Sequence, residues 1–593
     1  MSRSTLSRVR CFDICYPPNI GLVTAAPLHS AYPVAIVDDT LLICYNTTLV
    51  EYGDVECPTK TTQALNGPHA SEWKAAYVKD LEAKLKNGTF TLVPRPVGKK
   101  VLPTKVHHAV KRDPATNVVT ELRARWVGCG YAQGAGDFKE TYTATPTATS
   151  IRLFLVQVLS LGLFLFQGDV TKAFTLNPID VETYCEQMPG MEQPGPDGTS
   201  KENTVCLLHK CLEGLKQAGN VWQTTHTKAM LMFTLYDTKF KQSPTEPTLF
   251  ILHCSKGVII LLVWIDDILI GCSSSSLYEE FRSLYSERFP STHSSVVKRY
   301  AGVSISYEKG VKMVIHQKPH IDMAFEKFVE DKANARKSAA VNRPAIPDRT
   351  SPRHYSKLSL ATSDDERAAM KSKPYLAALA TIMYVAHFTL SHLCYFTSHL
   401  GQFMHDPSLA DWEAVLEIII FAYFNAETDI IIYSPKFSIP RHVPEKCQSD
   451  FLNSSGLHAY CDASWMLRSP AGYIMMMMGG PVDWGSKLIR VICHSSSEAE
   501  IAAGCMLGKR SVFVRLLLSD FGSPPLGKFI FFIDNTAAMD LSKKLGVGTR
   551  TAHFLRWQHY LRWLVLHGYV HIIFVGTKDQ LADIMTKVVD IST

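Results

Sequence analysis

The chain alternates short apolar runs with polar breaks, which predicts many small elements rather than a few long ones. The most telling run is Val258 to Ser273, VIILLVWIDDILIGCS: apolar residues, then Asp266 and Asp267 side by side, then apolar residues again. Two β-branched runs around a polar pair predict a β-hairpin buried on most of its faces. Tight hairpins prefer Asn-Gly or Asp-Gly at the turn. Two like charges at an apolar tip repel and are costly to desolvate unless a cation sits with them. The pair therefore reads as a divalent-metal site, with Mg²⁺ taking carboxylate oxygens and substrate phosphates, or as a solvated turn.

Taken in order, residues 1–67 mix Pro, Asn, Asp and Thr without periodicity and read as a linker or the end of an upstream module. ASEWKAAYVKDLEAKLKNGT predicts a helix capped by Ser71, lined by Trp73, Ala76, Tyr77, Leu81 and Leu85, and ended at Asn87-Gly88. Strands follow, and seven Lys or Arg between Lys99 and Arg125 face only Asp113 and Glu121. That is a basic sheet suited to a triphosphate or a nucleic-acid backbone, or simply a solvated face. Ile151 to Phe166 holds Arg152 and Gln157 and is too short for a membrane span, so a buried helix is expected. LHKCLEGLKQAGNVWQ predicts a helix carrying Lys210 and Lys216, and RYAGVSISYEKGVKMVIHQ a second hairpin turning at Glu308-Lys309-Gly310. Residues 331–374 read as a linker, Pro374 to Tyr423 as apolar helices, and a break near residue 450 as a domain boundary. The last segment alternates strands and helices, with the run Met475 to Met478 expected in a buried strand.

Composition narrows the class. At 593 residues the chain is too long for one core, and three or four domains are expected. A net charge of +6 permits a polyanionic partner without demanding one. The 15 cysteines are odd in number and form no C-x-x-C pair, which excludes a zinc knuckle and predicts reduced thiols. A cytoplasmic location follows, with the nucleus or virus-like particles as alternatives. Met1 to Arg10 has no apolar run behind it, so neither a signal peptide nor a membrane partner is expected.

Several motifs in sequence order resemble the reverse transcriptase and ribonuclease H portion of copia-type (Pseudoviridae-like) LTR retrotransposon polyproteins. GCGYAQGAGDFKETYTATPTATSIRLFL resembles that family's entry from fingers to palm, DVTKAFTLNPIDVETYCEQMPG its first catalytic block, GLKQA its central helix, and WIDDILI its YVDDIL hairpin. KPYLAALATIMYVA and then YCDASW, SSSEAE, DNTAA and DQLADIMTK match later blocks, so the likeness spans roughly residues 68–590. It implies an α/β and α+β multidomain fold: a right-hand polymerase with fingers, palm and thumb/connection, then an RNase H-like α/β domain with a mixed five-stranded sheet. The divisions implied are fingers and palm at 68–330, helical thumb and connection at 331–450, and the RNase H-like domain at 451–593.

The resemblance implies an RNA-directed DNA polymerase with RNase H activity. Its partners would be an RNA template, a DNA primer, the RNA–DNA hybrid, deoxynucleoside triphosphates and other products of the same element. Nucleotidyl transfer uses two Mg²⁺ ions about 3.5–4 Å apart, and two more are implied in the RNase H site, with Mn²⁺ as a substitute. Asp169, Asp266 and Asp267 are the implied polymerase ligands, Phe174 the floor under the sugar, Arg125 the triphosphate cation and Gln217 a template contact. In the terminal segment the implied metal carboxylates are Asp462, Glu498, Asp534 and Asp583, with His553 near product release. Each has a plainer reading: Glu498 follows Ser495 by three residues and could close a capping box, Asp534-Asn535 could be a turn, and Asp583 an exposed helix acid.

The chain departs from the family pattern in several places. Trp264 replaces Tyr, Cys129 replaces Lys, Glu213 replaces Tyr and Ser464 replaces Asp, while LEIIIFAYFNAET replaces a run rich in Lys and Arg. The altered surroundings leave a second reading open: a catalytically decayed remnant that keeps the fold and at most binds nucleic acid. No protease triplet, zinc knuckle or integrase zinc site is found, so a piece of a longer polyprotein is expected.

Overall fold

The computed structural model describes residues 55–112, 118–341, 358–543 and 554–588. They form two compact units. The first takes in the described residues up to Thr145 with Asp169–Met232 and Phe289–Thr292; the second takes in Pro146–Gly168, Phe233–Arg288 and everything from His293. His553 lies outside the described residues, as does most of the segment 1–67. Within that segment Thr61–Asn66 is a short helix rather than linker.

In the first unit, the helix Ala70–Lys86 buries Trp73, Ala76, Tyr77 and Leu81 at three- and four-residue spacing. Ser71 lies inside it, not at its cap, which is His69. Gly88 at φ 64 ends it, as a left-handed residue after a helix should. A four-stranded sheet orders Phe90–Pro94, Thr204–Lys210, Pro178–Cys185 and Val101–Leu102. Beside it Thr104–Arg112 and Val119–Gly128 pair as a two-stranded ribbon. GLKQA is not helical: the chain turns at Gly214, φ 87, and the next helix starts at Ala218. A Cβ on Gly214 would meet the Gly128 carbonyl at 2.3 Å, so this turn needs glycine to close on the ribbon. Lys210 thus ends a strand, and Lys216 lies in the turn.

In the second unit the apolar run expected as one helix is split. Ala148–Ser160 is helix, buried from Thr149 to Leu159, and Phe164–Val170 is strand. Gly162 at φ 58 makes the break. Periodicity cannot separate a buried helix from a buried strand, because neither has a polar face. Among the described residues no helix is long and apolar enough to cross a membrane. Lys241–Gln242, Leu249–Cys254, Gly257–Trp264 and Asp267–Cys272 pair antiparallel in that order. The second hairpin pairs Val303–Glu308 with Lys312–His316, joined across from Ile431–Tyr433.

Helices Lys318–Phe328, Tyr375–Phe388 and Leu409–Asn425 share a core of Phe325, Leu379, Ile382, Trp412, Ile418 and Phe421. The apolar LEIIIFAYFNAET run is therefore packed inside a helical bundle. The segment read as linker holds helices Lys332–Val341 and Asp364–Met370; residues 342–357 lie outside the described residues. The terminal sheet orders Gly480–Leu488, Pro470–Met477, His458–Ala463, Phe529–Ile533 and Val570–Phe574. The first three strands pair antiparallel and the last two join parallel, which is the mixed five-stranded sheet expected. Met475 to Met477 of the methionine run end one of its strands and Met478 begins the turn after it, with Met475, Met477 and Met478 buried.

Candidate active sites

The Asp266–Asp267 hairpin is a two-residue turn. Trp264 pairs with Asp267 across it, so Ile265 and Asp266 are the turn itself. Ile265 has φ 58. A β-branched residue there is strained by about 1–3 kcal/mol, and such strain collects at functional sites. The strands behind it, from Ile259 to Leu262 and Ile268 to Ile270, are wholly buried. The tip is half-buried. Asp267 Oδ1 accepts a hydrogen bond of 2.8 Å from Gln167 Nε2, and the same amide donates to the Arg299 carbonyl at 3.0 Å. The Gln167 amide thus fixes the Asp267 carboxylate where the second strand of the hairpin begins.

Asp169, in the first unit, lies on the strand that carries Gln167 two residues earlier. Burial raises its pKa, opposed by the charges of Arg123, Arg125 and Lys111. Those cations come from the two-stranded ribbon, whose alternation explains their direction. Val106, His108, Ala124 and Trp126 are buried on one face. His107 pairs with Arg125 and Lys111 with Glu121 on the other. Arg125 is exposed on that basic face. Phe174, in the 3-10 turn Phe174–Leu176, is half-buried against the core of this unit. Gln217 is not placed to touch a template. It is fully buried, accepting from Gln133 Nε2 at 2.9 Å and donating to the Asp137 carbonyl at 3.3 Å. Its amide ties the turn 213–217 to the loop 130–137.

In the terminal domain Asp462, Glu500 and Asp534 offer carboxylate oxygens that all lie within 4.8 Å of one another. Asp462 ends the central strand, and Asp534 follows the next. Glu500 comes from the first turns of the helix Ser496–Asp520. Glu498 does not join them. Its backbone N–H donates to the Ser495 hydroxyl at 3.2 Å, and its Oε2 accepts from the His494 N–H at 2.7 Å. It closes the helix N-terminus, which the Ser495 spacing already allowed. Once the cap accounts for Glu498, the next acid, Glu500, is left to face the strand ends.

Burial and the charges of Asp462 and Asp534 push the Glu500 pKa well up, and its Oε2 is buried with no hydrogen-bond partner. Burial raises Asp534 too, with Asp462 adding to it. Asn535 caps the next helix by accepting from the Ala538 N–H at 2.9 Å, so the turn reading belongs to Asn535, not Asp534. Asp583 stands just outside the trio, 2.9 Å from Lys587 Nζ, which is also 3.8 Å from Asp462 Oδ2. Burial raises Asp583 to about 6, partly offset by Lys587. The Thr586 hydroxyl donates to Asp462 Oδ2. An all-carboxylate trio with an unsatisfied buried oxygen fits a hard divalent cation such as Mg²⁺ or Mn²⁺.

Residues 87–341, which hold Asp169 and the Asp266–Asp267 hairpin, match the family described as reverse transcriptase (RNA-dependent DNA polymerase). The chain is 28% identical over 553 residues to the Retrovirus-related Pol polyprotein from transposon TNT 1-94 of Nicotiana tabacum, covering 92% of this chain and 39% of that protein. It is 27% identical over 586 residues to the polyprotein from transposon RE2 of Arabidopsis thaliana, covering 96% of this chain and 36% of that one. Over nearly its whole length the chain is similar to these retrotransposon polyproteins. It spans less than two-fifths of the length of these two relatives. A solved foamy viral protease–reverse transcriptase bound to double-stranded DNA aligns over 85% of this chain and 70% of its own, at 10% identity and a TM-score of 0.39.

Reverse transcriptases generally use divalent metal, and the Asp462–Glu500–Asp534 cluster suits one. Two of the chain's departures from the family pattern have local partners. Glu213 lies 3.4 Å from Lys84, a buried lysine already paired with Asp80 at 2.7 Å. Ser464 donates its backbone N–H to the Pro470 carbonyl at 3.2 Å at the start of the loop after Asp462. Nothing in the structure explains Cys129, which is buried.

Proposed function

We propose that this chain is an RNA-directed DNA polymerase with an associated RNase H activity, made as part of a copia-type polyprotein. The observation that carries the first half is the pair Asp266–Asp267 at the tip of a strained, otherwise apolar hairpin inside the reverse transcriptase match. The first activity falls to Asp169, Asp266 and Asp267; Arg125 draws the triphosphate to the basic face and Phe174 lies under the incoming sugar. Gln167 fixes the Asp267 carboxylate, so the hairpin meets its substrate without reorganising. The second activity falls to Asp462, Glu500 and Asp534, with Asp583 held beside them by Lys587.

Two divalent ions at each site, Mg²⁺ or Mn²⁺, would supply charge neutralisation at phosphate and lower the pKa of the attacking hydroxyl or water. The chain's own part is to hold the acids in place. The partners on this reading are an RNA template, a DNA primer, the hybrid between them, deoxynucleoside triphosphates and other products of the element. Fingers and palm fall at 68–330, thumb and connection at 331–450 and the RNase H-like domain at 451–593. Every described cysteine is a free thiol, which supports a reducing compartment: cytoplasm, nucleus or virus-like particle.

Primer extension on poly(rA)–oligo(dT) with Mg²⁺, beside Asp266→Asn, tests the polymerase half. Extension that vanishes in the variant supports it. No extension from a folded preparation, at low salt and in Mn²⁺ as well, overturns it and leaves a decayed copy that keeps the fold.

A further inference from the structure

The terminal sheet and the palm helix share a buried polar network within the second unit. Arg152, on the helix Ala148–Ser160, is almost fully buried and lies 3.8 Å over the Trp484 ring. Its Nε donates to the Val482 carbonyl at 2.8 Å, and its Nη1 to those of His387 at 2.8 Å and Phe388 at 3.1 Å. One turn earlier the Thr149 hydroxyl donates to Asp483 Oδ1 at 2.7 Å. Arg510 grips the same carboxylate at 2.7 and 3.1 Å and also reaches Thr149 at 3.1 Å. Trp484 Nε1 donates to the Ala386 carbonyl at 2.8 Å. Three elements that sequence reading assigned to palm, thumb and RNase H-like domain thus meet at Asp483 and Trp484.

The network connects to both acid sites by covalent structure. Arg510 lies on the same helix as Glu500, ten residues on, about 15 Å along a rigid rod. The end of that rod is pinned too: Asp520 Oδ2 accepts from the Ser243 hydroxyl at 2.5 Å and the Thr245 N–H at 3.2 Å. In the other direction the helix of Arg152 runs through Gly162 into the strand whose Gln167 holds Asp267. Apolar packing alone would tolerate sliding between the two parts. A satisfied network around the buried Arg152 and Asp483, with the half-buried Arg510, allows one register and penalises others, since any shift leaves a guanidinium or carboxylate unpaired.

We propose that Arg152, Asp483 and Arg510 are positioning residues that fix the Asp462–Glu500–Asp534 cluster relative to the Asp266–Asp267 hairpin, so that RNA is cut at a set spacing behind the primer terminus. The spacing half rests on the dual activity proposed above; the mechanical half does not. The test uses the full chain with Thr149→Val and Asp520→Ala combined. These cut cross-contacts without stripping a buried guanidinium of its carboxylate. A 5′-labelled RNA template under a DNA primer reports where the RNA is cut relative to the primer end, and calorimetry reports whether palm and terminal domain unfold together.

The parent is expected to cut at a narrow set of positions and to unfold the second unit in one transition. The double variant is expected to keep extension and RNA cutting within roughly threefold while its cut positions spread and a separate transition appears. Arg510→Lys, which keeps the charge, should restore less of the register than Arg510 itself but more than Arg510→Met. Sharp, unshifted cut positions with a single transition in the double variant would overturn the proposal. So would a parallel fall of both activities with the melting temperature at unchanged cut positions. Should the parent lack both activities, the functional reading has failed, and the calorimetric comparison alone decides the mechanical lock.

Discussion

Replacing Glu500 by Gln should separate the metal site from the helix cap more cleanly than any other change. The oxygens of Asp462, Glu500 and Asp534 lie within 4.8 Å of one another. Two full charges at that distance repel by about 3.5 kcal/mol at an effective dielectric near 20, and Glu500 has two such neighbours. In the ion-free chain this repulsion is relieved by a proton, because burial and the neighbouring acids push the Glu500 pKa well up. Glu500→Gln therefore mimics the protonated state and should change ion-free stability by less than about 1 kcal/mol. A divalent ion, in contrast, must bind the ionised form. Its affinity should fall at least roughly 100-fold, about 2.7 kcal/mol.

Glu498→Gln should do the reverse. It weakens the bond to the His494 N–H and costs about 0.5–1 kcal/mol of stability, with ion affinity unchanged. Mn²⁺ titration followed by electron paramagnetic resonance, in an Asp266→Asn/Asp267→Asn background so that only the terminal cluster reads, measures the affinities. Thermal unfolding measures the cap. Loss of Mn²⁺ binding in the Glu498 variant with normal binding in the Glu500 variant would refute the reasoning.

Three further predictions follow from other parts of the molecule. His226 is wholly buried beside Trp222 and Phe289, and burial lowers its pKa from 6.5 to about 3. The unfolded chain then binds the extra proton first, so this group's stability is full above pH 6.5 and is lost as pH falls, by about 2 kcal/mol at pH 5. His226→Phe should shrink the drop in melting temperature between pH 7 and pH 5, and an unchanged drop would show that the imidazole is not held neutral. Gln217→Ala should cost about 1–3 kcal/mol of stability through the lost bonds to Gln133 and Asp137, with primer–template KM unaltered; a raised KM at unchanged stability would return Gln217 to the template. Arg125→Ala should raise the KM for deoxynucleoside triphosphate roughly tenfold with little effect on folding, and an unchanged KM in steady-state extension would remove Arg125 from the triphosphate site.

Much of the fold was legible because its strands are short and bounded by turn residues. The Asp266–Asp267 hairpin stood out as two β-branched runs around a polar pair, and its tip holds the acids as expected, although the strain at Ile265 has no sequence signature. The ribbon of Arg123 and Arg125 was readable as basic; its direction came from period-two alternation with Val106 and Trp126. Three features misled. Ile151 to Phe166 is apolar throughout, so only Gly162 marked where helix gives way to strand. GLKQA has good helix formers around a glycine, and tertiary closure on Gly128 decided for the turn. Glu498 and Glu500 are two residues apart, and choosing between them required taking the Ser495 cap at face value. The network around Asp483 could not have been read at all, since Thr149 and Arg152 lie more than 300 positions from the strand of Val482 and Asp483 that they bond.

The central claim is that one chain holds two separate acid sites with two separate reactions. The most direct measurement follows both strands of one hybrid, with the DNA primer and the RNA template carrying different labels, in the parent, Asp266→Asn and Asp462→Asn chains. The account predicts that Asp266→Asn loses primer extension and keeps RNA cutting, while Asp462→Asn keeps extension and loses cutting. Loss of both reactions in either folded variant, or retention of both, would contradict it.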